Sequence, residues 1–175
     1  MLGMKLVRLI ERHSEVLSRG LAAQIRKSER TSDFHKIPTE DLRLAASEVY
    51  RNLGEWLLQK TEVDIARRFK AIAAHRAQEG ISLHQFAWAL MLTRDHLFQF
   101  LRREAFADTI VELHGELELQ QLLNQFFDRA VYYAIVGYED AGHASHKGDL
   151  RRVQDLAVAI GLMPEPSLTS EMLRE

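Results

Sequence analysis

From Thr39 to Met163 the chain contains no proline, and along it apolar residues return every three or four positions. That is the period of a helix face; a half-buried strand would repeat every two. The three prolines, Pro38, Pro164 and Pro166, stand where helices should stop. Alternating β-branched residues between turn dipeptides do not occur. The expectation is an all-α fold, a bundle of five to seven helices with a long C-terminal helix.

Taken in order, Val7, Ile10, Leu17, Leu21 and Ile25 make one stripe and predict a helix from about Lys5 to Ser28. The polar segment Ser28 to Pro38 reads as a loop with Phe34 as a plug onto the core. Thr39, ahead of Glu40 and Asp41, reads as the hydroxyl cap of the next helix. Its inner face is Leu42, Ala45, Val49, Leu53, Trp56 and Leu57, and Gly54 within it calls for a packing contact.

Thr61 and Asp64 have capping-box spacing and start a helix striped by Ile65, Phe69 and Ile72. Gly80 is its natural left-handed terminator. Ser82 then caps a helix with Leu83, Phe86, Leu90, Leu97 and Leu101 inside, widened by Trp88, Met91 and Leu92. Thr61 to Leu101 is therefore a helical hairpin, and its second arm is the central helix. Glu104 to Gly115 is ambiguous, a short helix or a loosened end.

From Glu116 to about Gly142 a long helix shows two apolar faces. One runs through Leu119, Leu123, Phe126, Ala130 and Ala134; the other holds Phe127, Val131 and Tyr138. Two apolar faces must pack on two things. Phe127, Val131 and Tyr138 are accordingly the candidate dimer interface. His143 to Asp149 reads as a polar break before a last helix, about Asp149 to Ile160, and a proline-punctuated tail. This divides the chain into a helical domain, 1–142, and a C-terminal helix and tail, 143–175.

A length of 175 residues suits one domain with a real core. A net charge of -2, with no basic run longer than a pair such as Arg67-Arg68, argues against a nucleic-acid or acidic-membrane partner. The absence of cysteine removes disulfides, thiolate metal sites and thiol nucleophiles, and fits a cytoplasmic protein. The N-terminus lacks the apolar core of a signal peptide, and the longest apolar run, Phe86 to Leu92, is far short of a membrane span.

Catalytic patterns are missing: no nucleophile elbow, no phosphate-binding glycine loop, no HExxH. The expectation is no enzyme. Glu139, His143 and His146 stand four and three apart and could converge on a metal on one helical turn, with Asp140 alongside. The surrounding EDAGHASHKGD, with Gly142 among them, is what a solvated helix end looks like, so no metal is expected. Arg76 continues the Ile65–Ile72 stripe, and Arg94 lies between Leu90 and Leu97. A charge on an apolar stripe must pair or snorkel to the rim. Glu15, Glu79 and Asp95 are possible partners; the sharper alternative is that Arg76 and Arg94 together hold an anionic ligand. His75 is the third candidate ligand residue.

Arg76-Ala77, Gly80-Ile81, Ser82, Leu83, Ala89-Leu90 and Arg94 together resemble the N-terminal domain of RsbR-type co-antagonists of the bacterial stressosome. That domain also precedes sensor kinases, and the similarity covers Leu6 to about Ala141. The resemblance implies that 1–142 is a globin-like sensory domain, a bundle without haem, regulatory and homodimeric, joined by its last helix to an output domain or downstream signalling protein. Residues 149–175 are too short for an output domain, so the expectation is a stand-alone module or the N-terminal piece of a larger regulator. In sensor globins the haem-ligating histidine stands four residues before the helix-ending glycine. Here Arg76 holds that place, and His75 is one step away, about 100° around the helix. A guanidinium does not lose its proton to ligate iron. No cofactor is expected, and a haem- or small-ligand-binding globin-like sensor is the alternative.

Overall fold

A computed structural model describes residues 2–104 and 110–159, with side chains over 4–104 and 114–143. The elements are α1 (Leu2–Arg12), α2 (Ser14–Lys27), a 3-10 helix (Glu29–Lys36), α3 (Thr39–Arg51), α4 (Leu53–Leu58), α5 (Glu62–Gln78), α6 (Leu83–Glu104) and α7 (Ile110–Ala159). The fold is an all-α, globin-like helical bundle. By contact it falls into two units, one ending at Tyr138 and one beginning at Glu139.

The stripes read from the sequence are the core. Ile10, Leu21, Leu53, Leu97, Leu119 and Leu123 are fully buried. α6 buries residues along its whole length, from Gln85 and Phe86 to Leu97, Phe100 and Leu101. At about 25 cal/mol per Å² of apolar area removed from water, such stripes supply the main driving force for the bundle.

The hairpin is closed by local chemistry. Asp64 N–H donates to Thr61 Oγ1 at 3.4 Å and Thr61 N–H to Asp64 Oδ2 at 3.0 Å, the reciprocal capping box. At the other end Gly80 has φ +74°. Ile81 N–H reaches Arg76 O at 3.0 Å and Gly80 N–H reaches Ala77 O at 3.1 Å, which is a Schellman stop.

Several boundaries differ from the sequence expectation. The first helix breaks at His13, whose ring Nδ1–H donates to Leu9 O at 2.9 Å and whose ring packs 5.5 Å from Phe100. The loop expected after Ser28 is a 3-10 helix, pinned by the buried Thr31 hydroxyl on Ile25 O at 2.6 Å. Phe34 within it plugs the core as expected. Thr39 is the first helical residue, not the cap; Pro38 precedes it and its carbonyl accepts from Asp41 and Leu42 N–H. The second helix breaks at Asn52, and Gly54 N–H donates instead to Glu11 Oε1 at 3.0 Å. A Cβ at Gly54 would lie 3.0 Å from that oxygen and 3.1 Å from Val7 Cγ1, the packing contact its sequence position calls for.

The long helix starts at Ile110 rather than Glu116, and it continues through the polar segment His143 to Asp149 where a break was expected. Glycines at 142 and 148 cost about 1 kcal/mol each in helix propensity, but no proline interrupts the hydrogen-bond ladder. His143 also donates through Nδ1 to Glu139 O at 2.7 Å, a bond that fits the helix. The expected tail from Met163 to Glu175 lies outside the described residues.

Candidate functional site

Two features of the hairpin converge on α7 within the first unit. The first is a clasp at the Gly80 turn. Asp33, on the 3-10 helix, accepts from Ser82 N–H at 3.0 Å and from the Ser82 hydroxyl at 2.7 Å. Its own N–H donates to Gln85 Oε1 at 2.7 Å. Lys36 Nζ donates to Gly80 O at 2.9 Å. The Ser82 hydrogen bonds, side chain first, hold the Asp33 carboxyl down at about 2. On the other side Tyr138, from α7, donates its hydroxyl to Ile81 O at 3.0 Å. Burial, the larger cause, pushes that phenol up to about 12, so it stays a donor at neutral pH.

The second feature is the crossing of α5 and α7. Gly137 is buried, and a Cβ there would lie 2.8 Å from Ala73 Cβ, Lys70 Cα and Lys70 O. Only hydrogen fits, so the two backbones approach as closely as helices can. About three turns earlier on α7, Phe126 packs edge-to-face on Phe69 of α5, 5.8 Å between centroids.

Next to these lies a cavity of about 410 Å³ enclosed by the first unit. Its floor is apolar and buried: Phe34, Leu42, Phe69, Phe86, Leu90 and Phe127. Ala45 and Glu48 on α3 and Ala71 and His75 on α5 line it and are solvent-exposed, so the mouth opens between these two helices. Arg68 and Arg76 also line it.

The structure places Arg76 and His75 at this cavity and Arg94 at a smaller one of about 140 Å³ beside it. The two share Leu90 and Phe127 as wall residues, but the arginines do not line one pocket. Arg76 is ion-paired to Glu79 at 2.6 Å with its side chain 13% exposed. His75 Nε2 lies 3.4 Å from the other Glu79 oxygen. Arg94 lies 3.5 Å from Asp95 and 3.6 Å from Asp128, and its buried Nε has no hydrogen-bond acceptor. Glu15 is engaged elsewhere, by Arg43 and Arg51.

Of the residues expected at a dimer interface, Phe127 is 2% exposed and spent inside its own chain, edge-on to Phe126 at 5.2 Å. Val131 is half-buried, and Tyr138 is taken up by the hairpin turn. A helix face adjacent to the core stripe was enough to bury Phe127 without a partner.

Sequence reasoning missed Arg68. It named Arg68 only as half of the basic pair Arg67-Arg68, but the two side chains part: Arg67 is 76% exposed and Arg68 24%. Arg68 donates to Glu48 at 2.9 Å, stacks 4.9 Å from the Trp56 ring centroid, and keeps a buried Nε without an acceptor. The available signal was its spacing: three residues after Ile65 and four before Ile72, it shares the buried face.

Among the described residues no group of three or more His, Asp or Glu is placed to hold a metal ion, and the His146 side chain lies outside them. Nor is any described helix long and apolar enough to cross a membrane. Residues 15–153 match the family described as the RsbT co-antagonist protein rsbRD N-terminal domain. Neither the curated proteins nor the solved structures return a match. With the family match spanning most of its length and an all-α bundle to go with it, the chain belongs to the RsbT co-antagonist protein rsbRD N-terminal domain family, a regulatory, stressosome-associated group.

Proposed function

We propose that the chain is a non-enzymatic input domain of a bacterial signal-transduction protein, acting in the cytoplasm as a homodimer. Packing changes in the α5–α6 hairpin pass through α7 to a downstream signalling protein or output domain. The observation that carries this reading is the grip of α7 on the hairpin: the Tyr138 hydroxyl on Ile81 O at 3.0 Å and the Gly137 crossing next to it. A shift of the Gly80 turn cannot leave α7 where it was, because packed elements move in discrete steps rather than deform.

The dimer surface in this reading is the outer face of α7. Tyr132 is 61% exposed and Ile135 37%, with half-buried Val131 beside them. Large apolar side chains clustered on an otherwise solvated helix face are a common mark of an interface. Light scattering on the wild-type chain at tens of micromolar should give twice the monomer mass, and Tyr132→Asp with Ile135→Asp should give a folded monomer. A wild-type monomer at that concentration ends the dimer reading.

A second reading, a small-ligand sensor, is favoured by the 410 Å³ cavity, a size typical of ligand pockets. Haem is the weaker form of it. His75 stands at the mouth, 67% exposed and facing Glu79, rather than over the apolar floor. Haem titration should leave the Soret band of free haem unshifted; a shifted, sharpened band lost in His75→Ala would move the reading to a haem sensor.

A further inference from the structure

The cavity has a definite chemical character. Its floor carries four phenylalanines, Phe34, Phe69, Phe86 and Phe127, from four different elements. Alanines at 45, 46, 71 and 89 line it where larger side chains would fill it. Native interiors rarely keep holes larger than a water, so a space held open by small residues and walled by aromatics needs an account. At roughly 30 Å³ per water-sized group, it holds about fourteen non-hydrogen atoms.

The charged groups of the lining come from α3 and α5, and Thr93 on α6 is a further polar residue. Arg68, His75 and Arg76 line the cavity against one acid, Glu48. Arg68 gives an Nη2 hydrogen to Glu48, and its Nε–H is closed off by surrounding atoms, which leaves the terminal nitrogens as the donors within a ligand's reach. A guanidinium offers five donors in a planar fork and can donate to two oxygens side by side. No glycine is among the lining residues, so the cavity has no glycine loop of the kind that cradles a phosphate.

We propose that this cavity binds a small amphipathic monocarboxylate, its alkyl tail among the four phenylalanines and its carboxylate on Arg68. Glu48 is exposed and can turn to solvent or share the guanidinium. Arg76 also lines the cavity, but its charge is matched by Glu79. Trp56, stacked on Arg68, is a built-in reporter of occupancy. The inference deepens the small-ligand reading and rests on it, but the coupling of the hairpin to α7 does not depend on it.

The test is a fluorescence titration of the full chain carrying Trp88→Phe, which leaves Trp56 as the sole tryptophan. Sodium decanoate should change the emission saturably below its micellar concentration. Decanol, with the same tail and no charge, should bind about tenfold or more weakly, the worth of one charge-assisted hydrogen bond. Arg68→Gln should abolish that preference and leave decanol binding unchanged. Ala46→Leu, a half-buried wall position, should weaken both ligands and serves if Arg68→Gln does not fold. No saturation with decanoate, equal affinity for decanoate and decanol, or indifference to Ala46→Leu overturns the proposal. That failure would leave the α7 coupling intact, because the coupling is measured without ligand.

Discussion

Replacing Gly137 with alanine isolates the contact on which the coupling rests. Two terms oppose. Alanine favours a helix interior over glycine by about 1 kcal/mol. Against that, the new Cβ would sit 2.8 Å from Ala73 Cβ and from Lys70 Cα and O, none of them a flexible tip. Ordinary carbon contacts lie at about 3.5–4.0 Å, so α5 and α7 must separate by about 1 Å. Overpacking of this kind costs about 1–3 kcal/mol. Gly142, on the same helix, is the control, because nothing lies within 4 Å of its Cβ position. Gly142→Ala should be neutral or stabilising, and Gly137→Ala destabilised relative to it by about 1–3 kcal/mol. At about 2–4 °C per kcal/mol for a chain of this size, thermal unfolding followed by circular dichroism resolves the difference. If Gly137→Ala is as stable as Gly142→Ala, the crossing is not close and the argument for transmission through it falls.

Three further expectations concern the clasp and the core. The Asp33 carboxyl is held at about 2 against an ordinary 3.8. Its contribution is therefore present above about pH 4 and lost as pH falls toward 2; Ser82→Ala should raise the Asp33 titration seen by NMR and flatten that acid loss. Burial lowers the His96 pKa below 6.5, outweighing its hydrogen bond to the Leu17 backbone. The unfolded chain then binds more protons, so stability should fall as pH drops below about 6.5, and urea midpoints of a His96→Gln variant should lack that slope. Thr61→Ala removes one side of the capping box and should cost about 1 kcal/mol in urea unfolding.

How far the sequence carried depends on which forces set each feature. The hairpin was legible because its signals are local: Thr61 and Asp64 cap one end and Gly80 ends the helix with φ +74°. The stripes and the Phe34 plug were legible because burial follows hydrophobic spacing. The breaks at His13 and Asn52 were not, since they answer to Phe100 and Glu11, distant in sequence. Phe127 was misplaced because a helix with two apolar faces can bury both within one chain. The candidate site was half legible. Arg76 and His75 do line the cavity, but Arg68 was hidden in a basic pair, and the cavity itself exists only where six elements meet.

The central claim is that α7 senses the hairpin. Amide hydrogen exchange on the wild type and on Tyr138→Phe, which removes one hydroxyl and its bond to Ile81 O, tests it most directly. The account predicts faster exchange both around Gly80–Ser82 and along α7 between Phe126 and Tyr138, because one bond ties them. Faster exchange at the turn alone, with α7 unchanged, would contradict it.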